Sequence, residues 1–133
     1  MREILFRGKR TINGDWVYGD FMRGNERKSL RDSIFVYDSE TQSFNDYEIN
    51  PSTLGQYTGL TDKNGKRIFE GDILGSRYYY LSPDNVAVEV VKWFCNSWVI
   101  QEGDRPPTML EEDEIMPYSE VVGNVHDSSL SAK

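Results

Sequence analysis

The chain has 133 residues, of which 38% are hydrophobic and 13% aromatic, and its net charge is −7. This length suits one domain or two small ones, and the acidic excess disfavours unspecific binding along a phosphate backbone. One cysteine and one histidine are too few for a disulfide framework or a structural zinc site, so the sequence predicts neither.

Two hairpins are predicted in the first fifty residues. The strands of these hairpins cover residues 3–7, 15–22, 33–37 and 44–49. Asn13 and Gly14 lie between the first two strands and predict a type I′ turn, which favours the pair Asn-Gly. The polar segment 23–32 is expected to be a flexible loop.

A domain boundary is predicted at Asn50, Pro51 and Ser52, because proline cannot donate to a sheet ladder. The predicted regions are an N-terminal β region over residues 1–50, a second β region over residues 51–127 and a loose tail over residues 128–133. One compact domain that includes both β regions is the open alternative.

The second half contains further short strands and one candidate helix. Strands are predicted over residues 72–81, 86–93, 98–101 and 120–126. Thr108 and Glu111 match a capping box, which predicts a short helix that ends near Ile115. Eight or nine short strands with at most one short helix indicate an all-β fold. The strand order after Asp72 is similar to a small SH3-like barrel, so we expect an N-terminal hairpin-rich sheet packed closely against such a barrel.

The central stretch 56–74 reads QYTGLTDKNGKRIFEGDIL and is the most informative part of the chain. It predicts a tight turn over residues 62–65 and a second over residues 70–72, each between short strands. Gly71 is expected at positive φ, where other residues are strained.

This stretch closely resembles the signature of the YopX family of phage and prophage proteins. Ile4 to Gly8, Trp16 to Gly19 and Glu120 to Asp127 also resemble family motifs, so the resemblance spans nearly the whole chain in order. It implies a mainly β protein of phage or prophage origin. The family has no established reaction, so the resemblance transfers no catalytic, cofactor-binding or metal-binding residue.

Charged residues of the signature turns form the candidate interaction surface, which comprises Asp62, Lys63, Glu70 and Asp72. The simpler alternative is that these side chains are ordinary solvated charges at turns. An acid-based catalytic site near Glu70 and Asp72 is a further alternative. Cys95 and His126 would have to meet in the fold to act as a nucleophile and base, and buried filler is the usual role of a free cysteine.

Charge is unevenly distributed along the chain. Residues 1–31 carry a net charge of +4 and the remaining residues −11. This asymmetry indicates a basic binding patch, two surfaces that attract one another within or between copies, or two unrelated solvated faces. The candidate nucleic-acid patch comprises Arg2, Arg7, Lys9, Arg10, Arg23, Arg27, Lys28 and Arg31.

The leading hypothesis is a non-enzymatic accessory protein, without a cofactor or a membrane contact, that binds a host or phage protein and self-associates as a homo-oligomer. The alternative is a nucleic-acid-binding regulator that uses the basic patch. The lone Cys95 and the absence of a basic start followed by an apolar run predict a cytoplasmic protein, in the host cytoplasm if it is phage-encoded.

Overall fold

The computed structural model describes residues 3–76, 89–110 and 119–127, and the regular secondary structure of this part of the chain is almost entirely β-strand. The strands are β1 (Phe6–Lys9), β2 (Trp16–Met22), β3 (Ser33–Asp38), β4 (Ser43–Glu48), β5 (Gly55–Thr61), β6 (Arg67–Phe69), β7 (Asp72–Ser76), β8 (Glu89–Phe94), β9 (Ser97–Glu102), β10 (Thr108–Met109) and β11 (Ser119–Asn124). Single 3₁₀ turns cover Glu26–Lys28 and Pro51–Thr53. The all-β prediction is confirmed. Within the described ranges, no helix is long and apolar enough to cross a membrane.

The chain forms two compact units, Met1–Tyr57 and Thr58–Lys133, and β5 begins in the first and ends in the second. In the first unit the strand order is β4-β3-β2-β1-β5, and each of these neighbouring strands pairs antiparallel with the next. Asn50 caps the 3₁₀ turn that follows β4, since its Oδ1 accepts a hydrogen bond from the backbone N–H of Ser52 at 3.1 Å. After this turn β5 returns to the sheet beside β1. The predicted boundary at Asn50 to Ser52 stays a prediction.

Ile34 and Ile49 are the best-buried apolar side chains of the first unit, with exposed fractions of 0% and 2%. Gly19 of β2 lies so close to β3 that a Cβ atom there would stand 2.1 Å from the carbonyl oxygen of Phe35. Because that obstacle is backbone, β2 and β3 can approach this closely only where the chain has no side chain.

In the second unit, β7 to β11 form an antiparallel sheet in the order β10-β9-β8-β7-β11. Its core cluster consists of Ile68, Leu74, Val91 and Leu110. Partly buried apolar side chains, among them Trp98 and Ile100, pack against this cluster. Closure of this unit into an SH3-like barrel stays a prediction.

The connection between the strands predicted over residues 86–93 and 98–101 is a tight two-residue hairpin turn. Cys95 and Asn96 both have positive φ, at 50° and 63°, and they connect β8 to β9 as a type I′ turn requires. The type I′ prediction at Asn13 and Gly14 was wrong. There the Gly14 N–H donates to the carbonyl of Arg10 and only the glycine has positive φ, which makes a wider turn.

Segment 23–32 connects β2 to β3 as predicted, and Asn25 and Leu30 exchange two backbone hydrogen bonds of 2.9 and 3.0 Å within it. Its flexibility stays a prediction. One other local prediction was wrong. Thr108 does not begin a helix, because Thr108 and Met109 pair with Ile100 and Val99 as strand β10. The remainder of the predicted helix, from Glu111, and the predicted tail over residues 128–133 lie outside the described residues.

Gly71 generates the first testable prediction. Its φ is +90°, as expected, and its N–H donates to Val91 while its carbonyl accepts from Val125. A Cβ atom there would meet no atom closer than 3.4 Å, so the cost of adding this atom comes from the backbone conformation and not from a clash. We expect Gly71→Val to reduce the free energy of unfolding by about 2–3 kcal/mol, because a β-branched residue is strained at this φ.

Thermal unfolding followed by circular dichroism measures this change, and a loss of that size lowers the Tm by about 10 °C in a chain of this length. Lys63→Val is the matched control, since Lys63 lies in the other signature turn, is exposed and does not have positive φ. A wild-type Tm for Gly71→Val would contradict the turn geometry.

Candidate functional site

Asp62 is the most highly connected side chain of the signature. It follows β5 directly, only 2% of it is exposed, and its carboxylate accepts three backbone hydrogen bonds. Oδ1 accepts from Asn64 at 2.8 Å and from Lys66 at 2.9 Å, which closes the turn between β5 and β6. Oδ2 accepts from Val121 at 2.9 Å, which attaches this turn to β11. One carboxylate therefore fixes two segments that are far apart in sequence.

The surroundings of Asp62 stabilise the ionised form of its carboxyl group. Burial by itself raises the pKa of this carboxyl group, but the three backbone N–H donors of Val121, Lys66 and Asn64, with a smaller contribution from the Lys66 ammonium group, outweigh burial. The net result is a pKa below the ordinary aspartate value, so Asp62 is ionised at neutral pH. An ionised carboxylate with three donors is typical of a structural anchor.

Asp72 has the same kind of role at the second turn. It is 1% exposed, and its Oδ2 accepts a hydrogen bond of 2.7 Å from the backbone N–H of Phe69, across the Glu70–Gly71 turn. As the first residue of β7 it also pairs with Asn124 of β11. Its carboxylate is therefore enclosed in the fold.

These positions correct the predicted interaction surface. Asp62 and Asp72 are buried and bonded to backbone donors, so they cannot present carboxylates to a partner. Of the four candidates, Lys63 is exposed and Glu70 is partly buried. The alternative of an acid-based catalytic site near Glu70 and Asp72 stays a prediction.

The closing motif of the sequence is a turn built on Asn124. Its Oδ1 accepts from the backbone N–H groups of His126 and Asp127 at 2.9 and 3.0 Å, and its Nδ2 donates to the Asp127 carboxylate at 2.7 Å. His126 belongs to this turn, whereas Cys95 is exposed at the tip of the β8–β9 hairpin. Among the residues that the structure describes, no group of three or more His, Cys, Asp or Glu is placed to hold a metal ion.

The predicted nucleic-acid patch divides into two sets. Arg7 is 5% exposed and lies over the Trp16 ring at 4.5 Å, Lys9 approaches the same ring at 5.5 Å, and Arg10 lies over Tyr47 at 4.6 Å. These three cations make cation–π contacts within the first unit. The second set is exposed at the end of the β2–β3 hairpin and comprises Arg23, Arg27, Lys28 and Arg31. Arg2 lies outside the described residues.

An aromatic pair on the first sheet was not singled out from the sequence. Tyr37 of β3 and Phe44 of β4 are 55% and 58% exposed, and their rings meet edge to face with centroids 5.3 Å apart. They are direct cross-strand partners. Each is the apolar residue closest to the turn between the two strands, which is the signal that could have indicated the pair.

Asp62 generates a prediction on stability. In Asp62→Asn the amide oxygen can replace only one carboxylate oxygen, so either Val121 or the pair Asn64 and Lys66 faces an NH₂ group. We expect a loss of about 2–3 kcal/mol in the free energy of unfolding, because buried N–H donors lose their acceptor. Urea unfolding at neutral pH measures the loss. Asp104→Asn, at an exposed aspartate of the same unit, should change it by less than about 0.5 kcal/mol.

The same variant tests the direction of the pKa shift. Because the pKa of Asp62 is lower in the folded chain, its stabilisation is complete above the unfolded-state pKa of about 4 and is lost as the pH falls through the folded-state value. The difference between wild type and Asp62→Asn should therefore shrink in acid. A difference that stays constant from neutral pH to about pH 2 would contradict this assignment.

None of the curated proteins matches this chain. Among solved structures, the chain is similar to protein EF1440 from Enterococcus faecalis, with a TM-score of 0.59, 18% sequence identity and 100% coverage of both chains. At this identity the likeness shows a shared fold and no more. The family model described as YopX protein matches residues 5–130, and a match over nearly the whole length shows that the chain belongs to the YopX family.

Proposed function

We propose that this chain is a non-enzymatic phage or prophage accessory protein that binds a partner protein through the outer edge of its first sheet and also associates with itself. Membership of the YopX family supports a phage-type origin. We further propose the host cytoplasm as its place of action, because the exposed thiol of Cys95 suits a reducing compartment.

The observation that carries the proposal is the edge strand β4. In the strand order of the first unit β4 is outermost, and the side chains of residues 43–46 are all exposed. Thr11 covers the far end, since its N–H donates to the Glu48 carbonyl at 3.1 Å and its hydroxyl to the Glu48 carboxylate at 2.9 Å. Residues 43–47 therefore form the open edge, which is a template for one further strand.

The exposed aromatic pair gives this edge an anchor. Tyr37 and Phe44 together leave about 200 Å² of side-chain surface uncovered, which corresponds to about 5 kcal/mol if a partner buries it. Part of that energy offsets the entropy lost on association, so the pair can act as a binding hot spot but cannot form an interface alone. Main-chain bonds along the open edge would supply the rest.

Charge indicates which partner fits the edge. Asp46 and Glu48 of β4 lie on the same side of the sheet as Phe44, because alternate residues share a face. An added strand with an apolar residue near Phe44 and a basic residue near Asp46 would complement them. Two β4 strands paired with each other would instead bring like charges together, which is unfavourable. We therefore propose a basic, extended segment of another protein as the occupant.

Affinity capture tests the edge. The tagged protein is incubated with host lysate, with and without nuclease treatment, beside the double variant Tyr37→Ser with Phe44→Ser and the control Ile12→Ser. Ile12 is 78% exposed in the β1–β2 turn of the same unit, so its change removes exposed apolar surface elsewhere. We expect a protein that wild type and the control retain and the double variant loses, because both aromatic anchors are gone.

Two outcomes of this capture would contradict the edge. One is equal retention by the double variant with its Tm within a few degrees of wild type, and the other is capture that disappears on nuclease treatment. Asp46→Lys is a second variant that leaves the aromatic pair in place, and it should weaken capture of a basic partner by charge repulsion.

Self-association is tested separately by sedimentation at low and high salt. Because residues 1–31 carry a net charge of +4 and the rest −11, we expect a species larger than the monomer that dissociates as salt screens the attraction. A monomer under both conditions would remove self-association from the proposal. A larger species that persists at high salt but is lost in the double variant would place the contact at the aromatic edge and not at opposite charges.

A further inference from the structure

We propose that the end of the β2–β3 hairpin contacts the phosphate backbone of a nucleic acid duplex. We call residues 23–31 the basic tip. This inference goes beyond the protein-binding edge, because it uses different residues at a different place in the first unit. Its carriers are Arg23, Arg27, Lys28 and Arg31, all of which are exposed.

Backbone hydrogen bonds close the basic tip. Asn25 and Leu30 exchange hydrogen bonds of 2.9 and 3.0 Å, and inside them the N–H of Lys28 donates to the Asn25 carbonyl and that of Ser29 to the Glu26 carbonyl, each at 3.1 Å. Ser29 then reverses the chain with φ of 56°. Because these bonds already order the backbone, binding a ligand would cost little further backbone entropy.

The cations of the basic tip are available to a ligand. Among the described residues, no hydrogen bond or ion pair engages the side chains of Arg23, Arg27 and Lys28. The Nε of Arg31 is 4.0 Å from the Glu48 carboxylate, at the limit of an ion pair, and its side chain is 80% exposed. Such exposed pairs contribute little free energy, so a phosphate can replace Glu48 at low cost.

Nearby acids reduce the positive charge of the tip without cancelling it. Glu26 lies within the tip, and Asp32 follows it. Asp32 is partly buried, and its Oδ1 accepts from the backbone N–H of Gly24 at 2.6 Å, so this carboxylate serves the hairpin. The segment from Arg23 to Asp32 keeps a net charge of +2.

The acidic net charge of the whole chain does not prevent the basic tip from binding a phosphate group. Charges on the surface are screened beyond about 8 Å at physiological salt, whereas a phosphate in contact lies within about 4 Å of the guanidinium or ammonium group. Excess acid elsewhere disfavours binding that spreads along a phosphate backbone. It has much less effect on a contact made by one projecting hairpin end.

The composition of the basic tip favours nucleic acid over an acidic protein. Leu30, which is 50% exposed, is the single large apolar side chain within residues 23–31. Protein interfaces have an apolar core that is poor in lysine, whereas nucleic-acid interfaces are polar and strongly basic. Arginine suits phosphate because its planar fork donates two parallel hydrogen bonds. A two-stranded β-ribbon also has a width that the DNA major groove accepts.

Fluorescence anisotropy with a short labelled DNA duplex tests the inference. Wild type should bind at about 50 mM salt and lose about 100-fold in affinity by 200 mM if up to four phosphates are neutralised. The variant that replaces all four tip cations by glutamine should bind at least about 10-fold more weakly, with a much flatter salt dependence. The control variant replaces four exposed cations of the second unit by glutamine, namely Lys63, Arg67, Lys92 and Arg105. It should retain most of the affinity.

Equal losses in the two variants would overturn the proposal, because they would show an effect of net charge alone. No binding of the duplex by wild type at low salt would also overturn it, and equal Tm values of wild type and both variants ensure that a lower affinity does not reflect unfolding. Tighter binding of a polyglutamate peptide than of the duplex would assign the tip to an acidic protein. The double variant of Tyr37 and Phe44 should bind the duplex normally, so the edge and the tip can fail independently.

Discussion

The second unit depends on one buried negative charge. A carboxylate that loses almost all of its water is costly unless donors replace that water, and the three backbone N–H groups around Asp62 do so at 2.8–2.9 Å. Two of these donors belong to the turn that follows Asp62, and the third belongs to β11. The charge therefore stabilises both the turn conformation and the contact of this turn with β11. If either is lost, backbone N–H groups that Asp62 accepts from lose their acceptor.

The remaining polar residues of the signature and of the closing motif extend this arrangement. The Thr58 hydroxyl donates a hydrogen bond to the Ile68 carbonyl at 2.8 Å. The Asp72 carboxylate accepts one from the backbone N–H of Phe69, and the Asn124 side chain accepts one from the backbone N–H of His126 in the turn after β11. Gly71 belongs to the same arrangement, because its backbone makes hydrogen bonds with the backbones of Val91 and Val125. The string that identifies the family is thus used for bonds inside the fold. Such residues specify the architecture, which is why the binding surfaces that we propose lie on an exposed strand and a hairpin end.

Much of the fold was predictable because its signals are local. The sequence pattern located half of β1 and most of β2, β3, β4, β8, β9 and β11, and the glycine in Glu70-Gly71-Asp72 indicated its positive φ. Three features depend on tertiary context. Cys95 and Asn96 form the type I′ turn because the register of β8 and β9 requires it, β10 exists through its pairing with β9, and the β2–β3 end is ordered by the Asn25–Leu30 bridge.

The candidate site was harder to predict because the sequence does not show whether the side chain of a charged residue is exposed to solvent. Asp62 and Lys63 are adjacent in the same turn, yet the first is buried and the second exposed, since the carboxylate can accept backbone bonds and the ammonium group cannot. For the same reason the sequence did not distinguish Arg7, which lies against Trp16, from Arg27, which is exposed at the hairpin end. Composition counts both as basic. Position relative to the sheet decides which cation stabilises the fold and which remains available to a ligand.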